Sequence, residues 1–169
     1  MAWEEKYYEF FDSDIDLCDS IKMSNRDKDW LRQAKRDLEH AKNTRKDKDY
    51  EWSCFASQQA AEKALKAVYY YLNREAWGHS IKGLLENIPK NIEKPEKLLN
   101  YAKVLDKYYI PTRYPNGFDE GIPADYYTEE ESTRGINYAG EIIRFSEGIL
   151  SRYQQDQKIT EEDIKDLED

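Results

Sequence analysis

Strong helix formers are concentrated in the stretch Cys54-Phe55-Ala56-Ser57-Gln58-Gln59-Ala60-Ala61-Glu62-Lys63-Ala64-Leu65-Lys66-Ala67. Its second half consists of Ala, Glu, Lys and Leu, whose helix propensities are among the highest of all residues. The pattern predicts a helix over residues 49–74, and Asp49 can cap its N-terminus. The small alanine side chains allow another helix to approach closely. This stretch therefore predicts a fold in which helices pack on helices.

Four further helices are predicted on either side of this one. Apolar residues recur three and four positions apart, and no segment alternates for long as a strand does. Glycine and proline are scarce, with 7 and 5 copies, which argues against sheets joined by tight turns. The predicted fold class is all-α, a five-helix up-and-down bundle. The bounds are 26–47 for the first helix (capped by Ser24 or Asn25), 80–87 for the third (stopped by Pro89), 95–109 for the fourth and 128–155 for the fifth.

Charge divides the chain into three predicted parts. The formal net charge is −9, but residues 1–22 and residues 156–169 each carry −5, while residues 23–155 carry +1. We therefore predict an N-terminal arm over 1–22, a helical bundle over 23–155 and an acidic tail over 156–169. A neutral bundle leaves room for a local basic site, although the acidic chain as a whole disfavours bulk nucleic-acid binding.

The N-terminal arm combines acidic and aromatic residues. The aromatic side chains are spaced like one face of a short helix, which favours a helical arm docked on the bundle or on a partner. The acidic tail contains a helix-start pattern near residue 160, but its composition favours a solvated tail. The aromatic positions of the arm are Trp3, Tyr7, Phe10 and Phe11.

Several functional classes are disfavoured by composition. No stretch of about 18 apolar residues exists, so no membrane span is expected. The acidic N-terminus lacks the basic and apolar regions of a signal peptide, which predicts a cytoplasmic protein. Cys18 and Cys54 lack metal-ligand spacing and the chain has only 2 histidines, so we expect reduced thiols and neither a metal nor a cofactor.

A candidate ligand site follows the fourth predicted helix. The run Leu105-Asp106-Lys107-Tyr108-Tyr109-Ile110-Pro111-Thr112-Arg113-Tyr114-Pro115 places an arginine among tyrosines and prolines. A guanidinium offers a planar fork to phosphate or carboxylate, and tyrosine rings can stack on it or on a base. The alternative is a helix C-cap whose arginine binds the last carbonyls of its own helix. The predicted ligand-binding residues are Lys63, His79, Tyr109, Arg113 and Tyr114.

Three ordered motifs resemble the HEPN family. They are Cys54–Ala67, then Gly78-His79-Ser80-Ile81 at the start of a helix, then Leu105–Pro115. Trp30-Leu31 with Ala34, Asp37, Leu38 and Ala41 adds to the resemblance, which covers roughly residues 26–153. It implies a five-helix bundle, a homodimer and a nucleotide-binding role, often beside a small nucleotidyltransferase partner encoded next door. It also implies a place in toxin–antitoxin pairs, because many HEPN proteins are ribonuclease toxins.

The resemblance also implies a catalytic motif, in which an arginine precedes a histidine by a few residues. Arg74-Glu75-Ala76-Trp77-Gly78-His79 fits that spacing, with His79 as proton acceptor and Arg74 as the cation on the developing phosphate charge. In the family the motif lies later in the chain, and here Arg113 has no histidine after it. His79 could instead fasten the turn by hydrogen bonding, and Arg74 could be a solvated helix end. A nucleotide- or partner-binding protein and a metal-independent endoribonuclease both remain open.

A homodimer is also expected from the second helix itself. Its alanine-rich surface is larger than one neighbouring helix can cover. We therefore expect aromatic and alanine positions of long helices to meet between two copies of the chain.

Overall fold

The computed structural model describes residues 26–168, with side chains over residues 26–152. This part of the chain contains five α-helices and no strand, which confirms the predicted fold class. The helices are α1 (Arg26–Lys46), α2 (Tyr50–Tyr71), α3 (Ile81–Asn87), α4 (Glu96–Asp106) and α5 (Glu129–Glu168), and short 3-10 turns span Pro115–Gly117 and Pro123–Asp125. The predicted arm, Cys18 and the predicted caps Ser24 and Asn25 lie outside the described residues.

Two helix ends differ from the predicted ones for local reasons. α2 ends at Tyr71 instead of 74 because Asn73 adopts a positive φ of 50°. The Arg74 backbone N–H then donates to the Tyr69 carbonyl, which closes the helix in a Schellman-like turn. α4 ends at Asp106 instead of 109, because the Lys107 and Tyr108 N–H groups donate three residues back, as in a tight turn.

The start of α2 and the end of α5 also differ. Asp49 occupies the N-cap position of α2, but its side chain accepts no capping hydrogen bond. The predicted end of the fifth helix at 155 is too early, since α5 continues to Glu168. No glycine or proline follows Gly148, so nothing in this sequence interrupts the helical backbone.

α2 lies at the centre of the bundle, packed between α1 and α5. Its alanines are at most 5% exposed and form the core with side chains from the other helices. The alanine surface that we expected to face a second copy is therefore covered within a single chain. The buried alanines are Ala56, Ala60, Ala61, Ala64 and Ala67.

Small residues set the close packing of α2 and α5. The Ser132 hydroxyl donates to Ser53 Oγ at 2.6 Å, and the Ser53 hydroxyl donates to the Ala41 carbonyl of α1 at 2.7 Å. A Cβ at Gly135 would meet the ring of Tyr108 at 3.3 Å and the Ser57 Cβ at 3.4 Å. The serine hydrogen bonds therefore join α1, α2 and α5, and Gly135 leaves room for α2 and for the Tyr108 ring against α5.

Candidate functional site

Arg113 lies among three aromatic rings where α4 has ended. Its guanidinium carbon is 4.4 Å from the ring centre of Phe55, 4.8 Å from that of Tyr109 and 5.2 Å from that of Tyr114. Tyr109 in turn stacks on His79, with ring centres 4.6 Å apart and planes 18° from parallel. We call Phe55, His79, Tyr109, Arg113 and Tyr114 the Arg113 cluster. The structure thus brings together four of the five predicted ligand-binding residues.

The sequence left two roles open for Arg113, a ligand-binding arginine and a helix C-cap. Its hydrogen bonding is compatible with both. Its Nε donates to the Tyr109 carbonyl at 2.8 Å, as a capping arginine does. No hydrogen bond or ion pair within residues 26–152 uses its Nη groups. The backbone bond fixes the guanidinium, while its two terminal amino groups stay available to an anion.

His79 is held by a buried carboxylate. Its Nδ1 lies 3.1 Å from Oε1 and 3.3 Å from Oε2 of Glu62, whose side chain is only 4% exposed. If Nδ1 carries the proton, it donates to the carboxylate and leaves Nε2 as the acceptor. Since the His79 side chain is 54% exposed, this arrangement presents an oriented imidazole to solvent.

Glu62 is itself held by neighbours on α2. Lys66 forms an ion pair with it at 2.9 Å, and the Gln58 and Gln59 amides each donate to it at 3.2 Å. Gln58 also donates to the His79 carbonyl at 3.0 Å, so one buried amide fixes both members of the pair. The Gln-Gln-x-x-Glu part of the α2 sequence therefore builds a polar network beneath His79.

Asp106 connects the end of α4 to the start of α3, immediately after His79. Its carboxylate accepts from the Ile81 N–H at 2.6 Å, the Lys82 N–H at 3.2 Å and the Ser80 hydroxyl at 2.8 Å. Ser80 also caps α3 directly by accepting from the Gly83 N–H at 3.1 Å. These bonds satisfy the free N–H groups of the helix and hold His79 beside Tyr109.

Two predicted site residues lie elsewhere. Lys63 pairs with Asp37 of α1 and lines a cavity of about 540 Å³ with Trp30, on the α1 side of α2. Arg74 lines another cavity, of about 560 Å³, with the exposed ring of Trp77. Among the described residues, no hydrogen bond, ion pair or ring contact joins Arg74 to His79 or Lys63 to Arg113.

Sequence reasoning missed Phe55, Glu62, Gln58 and Asp106 as members of the site. Glu62 and Gln58 stand in a stretch that already forms a helix, where a charged or amide residue normally faces solvent. The available signal was that the two of them share one side of α2 with Phe55 and Gln59.

Within residues 26–152, no three His, Cys, Asp or Glu side chains could hold a metal ion together. None of the described helices combines the length and apolarity that a membrane span requires.

The fold and site define an all-helical protein with an arginine–aromatic cluster beside an oriented histidine. A family model described as HEPN domain matches residues 28–150. The chain therefore belongs to the HEPN family, as the sequence motifs indicated.

Known proteins agree with this assignment. TT1696 from Thermus thermophilus has a crystal structure with a TM-score of 0.73 and 48% identity, covering 75% of this chain and 99% of that one. ST0689, described as an archaeal HEPN homologue, has a TM-score of 0.62 and 42% identity, covering 73% of this chain and 97% of its own. A protein of Methanocaldococcus jannaschii named "Putative toxin MJ1304" is 30% identical over 130 residues, 72% of this chain and 86% of that protein.

Proposed function

We propose that this HEPN protein binds a nucleotide or RNA through the Arg113 cluster. The observation that carries the proposal is the guanidinium of Arg113, which three rings and a backbone carbonyl hold in place while its Nη groups lack protein partners among the described residues. A guanidinium in this state is pre-organised for two parallel hydrogen bonds to a phosphate. The stacked rings of His79 and Tyr109 provide an adjacent surface for a base.

Replacement of Arg113 by lysine tests this proposal. The change keeps the charge but removes the fork, so the affinity for ATP or a short RNA should fall roughly tenfold. Arg144→Lys is the matched control, since Arg144 is an exposed arginine of α5 paired with Glu141. Calorimetric titration measures both. An Arg113→Lys variant with unchanged affinity and a lower melting temperature would show that Arg113 is only a structural tether.

The proposal includes a partner. The M. jannaschii relative named as a toxin supports a place in a toxin–antitoxin pair, of which this chain would be the helical component. A small nucleotidyltransferase is the partner that the family resemblance implies. Co-expression with the product of a neighbouring nucleotidyltransferase gene, followed by purification on a tag carried by only one protein, tests the pair. Elution of the tagged protein alone would count against it.

A metal-independent endoribonuclease is the second candidate, and the pairing of His79 with Glu62 favours it. A carboxylate on Nδ1 orients the imidazole and leaves Nε2 as the proton acceptor that faces the attacking 2′-hydroxyl. Arg74 was the predicted cation of this reaction. Arg113 is an additional candidate, because its ring partner Tyr109 also stacks on His79.

An RNA cleavage assay with chelator separates the two candidates. His79→Ala and Arg74→Ala should each abolish cleavage if the predicted pair is catalytic. If the purified protein cleaves RNA and His79→Ala is equally active, the assignment to this pair is wrong. If only Arg113→Ala and His79→Ala lose activity, the cation is Arg113.

A homodimer is also part of the proposal, although the buried alanines of α2 do not supply its surface. Tyr114 of the Arg113 cluster and Trp52, whose ring meets the edge of Phe55, offer a different one, since each is 48% exposed. Light scattering at micromolar concentration should give twice the chain mass of 20.1 kDa. A monomer mass would reject the dimer.

A further inference from the structure

A further cavity lies at the α4 exit and is lined by residues of α4, the loop that follows it and α5. Its volume is about 380 Å³, and four aromatic residues from the loop after α4 line it. The rings of Phe118 and Tyr126 stack with centres 4.1 Å apart. Tyr127 meets the edges of Phe118 at 6.5 Å and Tyr108 at 6.0 Å. The walls are therefore rigid aromatic surfaces, and no member of the Arg113 cluster is among the residues that line them.

Two hydrogen-bond donors in this cavity lack an acceptor. Tyr108 is 4% exposed, and its buried hydroxyl has no hydrogen-bond partner among the described residues. The same is true of the buried Nε of Arg134. The guanidinium lies beside the hydroxyl and interacts with it, yet the Tyr108 O–H and the Arg134 Nε–H themselves have no acceptor among the described residues. Because a guanidinium can only donate and buried polar groups are nearly always paired, these two donors require an acceptor oxygen beyond the Tyr108 hydroxyl.

The charge of the cavity favours an anion as that acceptor. Its charged residues are Lys107, Glu131 and Arg134, which leave a single positive charge. The Glu131 carboxylate is engaged at the start of α5, where it accepts from the Thr128 N–H at 3.1 Å and the Thr128 hydroxyl at 3.2 Å. Arg134 interacts electrostatically with this carboxylate but forms no ion pair within residues 26–152.

The cavity is too large to be filled by a single water molecule as the acceptor, since one water occupies only about 30 Å³. Cavities that bind small ligands start at roughly 300 Å³. We propose that this cavity binds a small ligand with a planar ring and a carboxylate or phosphate group. The anionic oxygens accept from Tyr108 and Arg134, and the ring packs on Phe118, Tyr126 and Tyr127. The site is separate from the Arg113 cluster and does not depend on the function proposed for it.

Calorimetric titration of the full chain tests the site with two probes. 1-Naphthoate represents the aromatic carboxylates, and AMP represents ring-bearing phosphates. The neutral analogue 1-naphthamide keeps the ring without the anion. We expect at least one anionic probe to bind saturably and the amide to bind more weakly. The affinity for the anionic probe should be at least tenfold lower for Arg134→Met and severalfold lower for Tyr108→Phe.

Two control variants make the result specific. Arg144→Met removes an exposed arginine from the same helix and should leave the affinity unchanged. Because AMP could also bind the Arg113 cluster, its titrations with Arg134→Met and Tyr108→Phe are made in an Arg113→Lys background, where the remaining affinity reports this cavity. Since Tyr108→Phe removes a single oxygen, it tests the site even if Arg134→Met fails to fold. The proposal is overturned if neither anion binds at millimolar concentration, if the amide binds equally well, or if Tyr108→Phe binds as tightly as the unmodified chain.

Discussion

Glu62 is a buried carboxylate in the middle of the most helix-prone stretch of the chain. Four side chains, those of Gln58, Gln59, Lys66 and His79, share its two oxygens. An unpaired charge at this depth would be costly, so Glu62 and its partners stabilise the fold only as a complete set. At the scale of single residues, the same contacts that orient His79 therefore also contribute to stability.

Glu62→Gln is expected to lower the free energy of unfolding by about 1–3 kcal/mol, because Lys66 loses its counter-charge in a mostly buried position. Urea denaturation measures this change. Glu147→Gln is the control, since it breaks the more exposed ion pair of Glu147 with Lys35 and should cost under about 1 kcal/mol. Equal losses for the two variants would mean that the Glu62 network contributes no more than a surface pair.

Of the predicted residues that the structure places in the Arg113 cluster, Tyr109 and Tyr114 are close to Arg113 along the chain and His79 is not. Tyr109 and Tyr114 flank the arginine within one short run, so their approach follows from local geometry. Phe55 and Glu62 reach the site only because α2 passes beneath the α4 exit, and a single sequence contains no signal for such long-range pairing. Lys63 was predicted near the site, but it follows Glu62 directly in α2, and the next position along a helix points about 100° away.

At the scale of elements, Asp106 joins two helices that are far apart in sequence. It stands at the end of α4 and accepts hydrogen bonds from two backbone N–H groups at the start of α3. α3 has only seven residues, and a helix this short depends on such bonds because its own propensity cannot hold it. The orientation of His79, directly before this helix, therefore depends on Asp106.

Asp106→Ala is expected to destabilise the protein by about 1–2 kcal/mol through loss of the cap. It should also speed amide hydrogen exchange at Ile81 and Lys82, the two residues whose N–H groups lose their acceptor. Asp125→Ala is the matched control, because Asp125 caps only the exposed backbone N–H of Ile122. If exchange in α3 is the same in the two variants, Asp106 does not hold this helix.

Helix existence was predictable here, whereas helix ends depended on details outside the periodic pattern. The five predicted segments are all helical because each carries apolar residues three and four positions apart. α2 ends because Asn73 adopts a left-handed backbone conformation. Many other residue types at this position could continue the helix instead. The length of α5 was underestimated because the composition becomes acidic after residue 155, and this change was taken as the end of the helix. No glycine or proline stands there to end it.

At the scale of the whole molecule, the loop after α4 covers a group of buried acids that titrate at high pH. Cys54 lies beneath this loop, and burial raises the pKa of its thiol from 9.0 to about 12. Burial likewise raises the pKa of Tyr108 from 10.0 to about 12, and that of Tyr127 in the same direction. The folded protein therefore keeps protons that the unfolded chain releases near the ordinary values.

The sign of the pH dependence follows from these shifts. Between the unfolded and folded pKa values the unfolded chain binds fewer protons, so the free energy of unfolding falls as pH rises. The contribution of these groups should be fully present below about pH 9 and lost between about pH 9 and 12. Urea denaturation at a series of alkaline pH values measures the slope. Cys54→Ala removes one titrating group and should make the decline between pH 9 and 12 shallower, whatever its effect at neutral pH. An unchanged slope would show that the Cys54 thiol ionises equally well in the folded and unfolded chains, and that the loop does not exclude water from it.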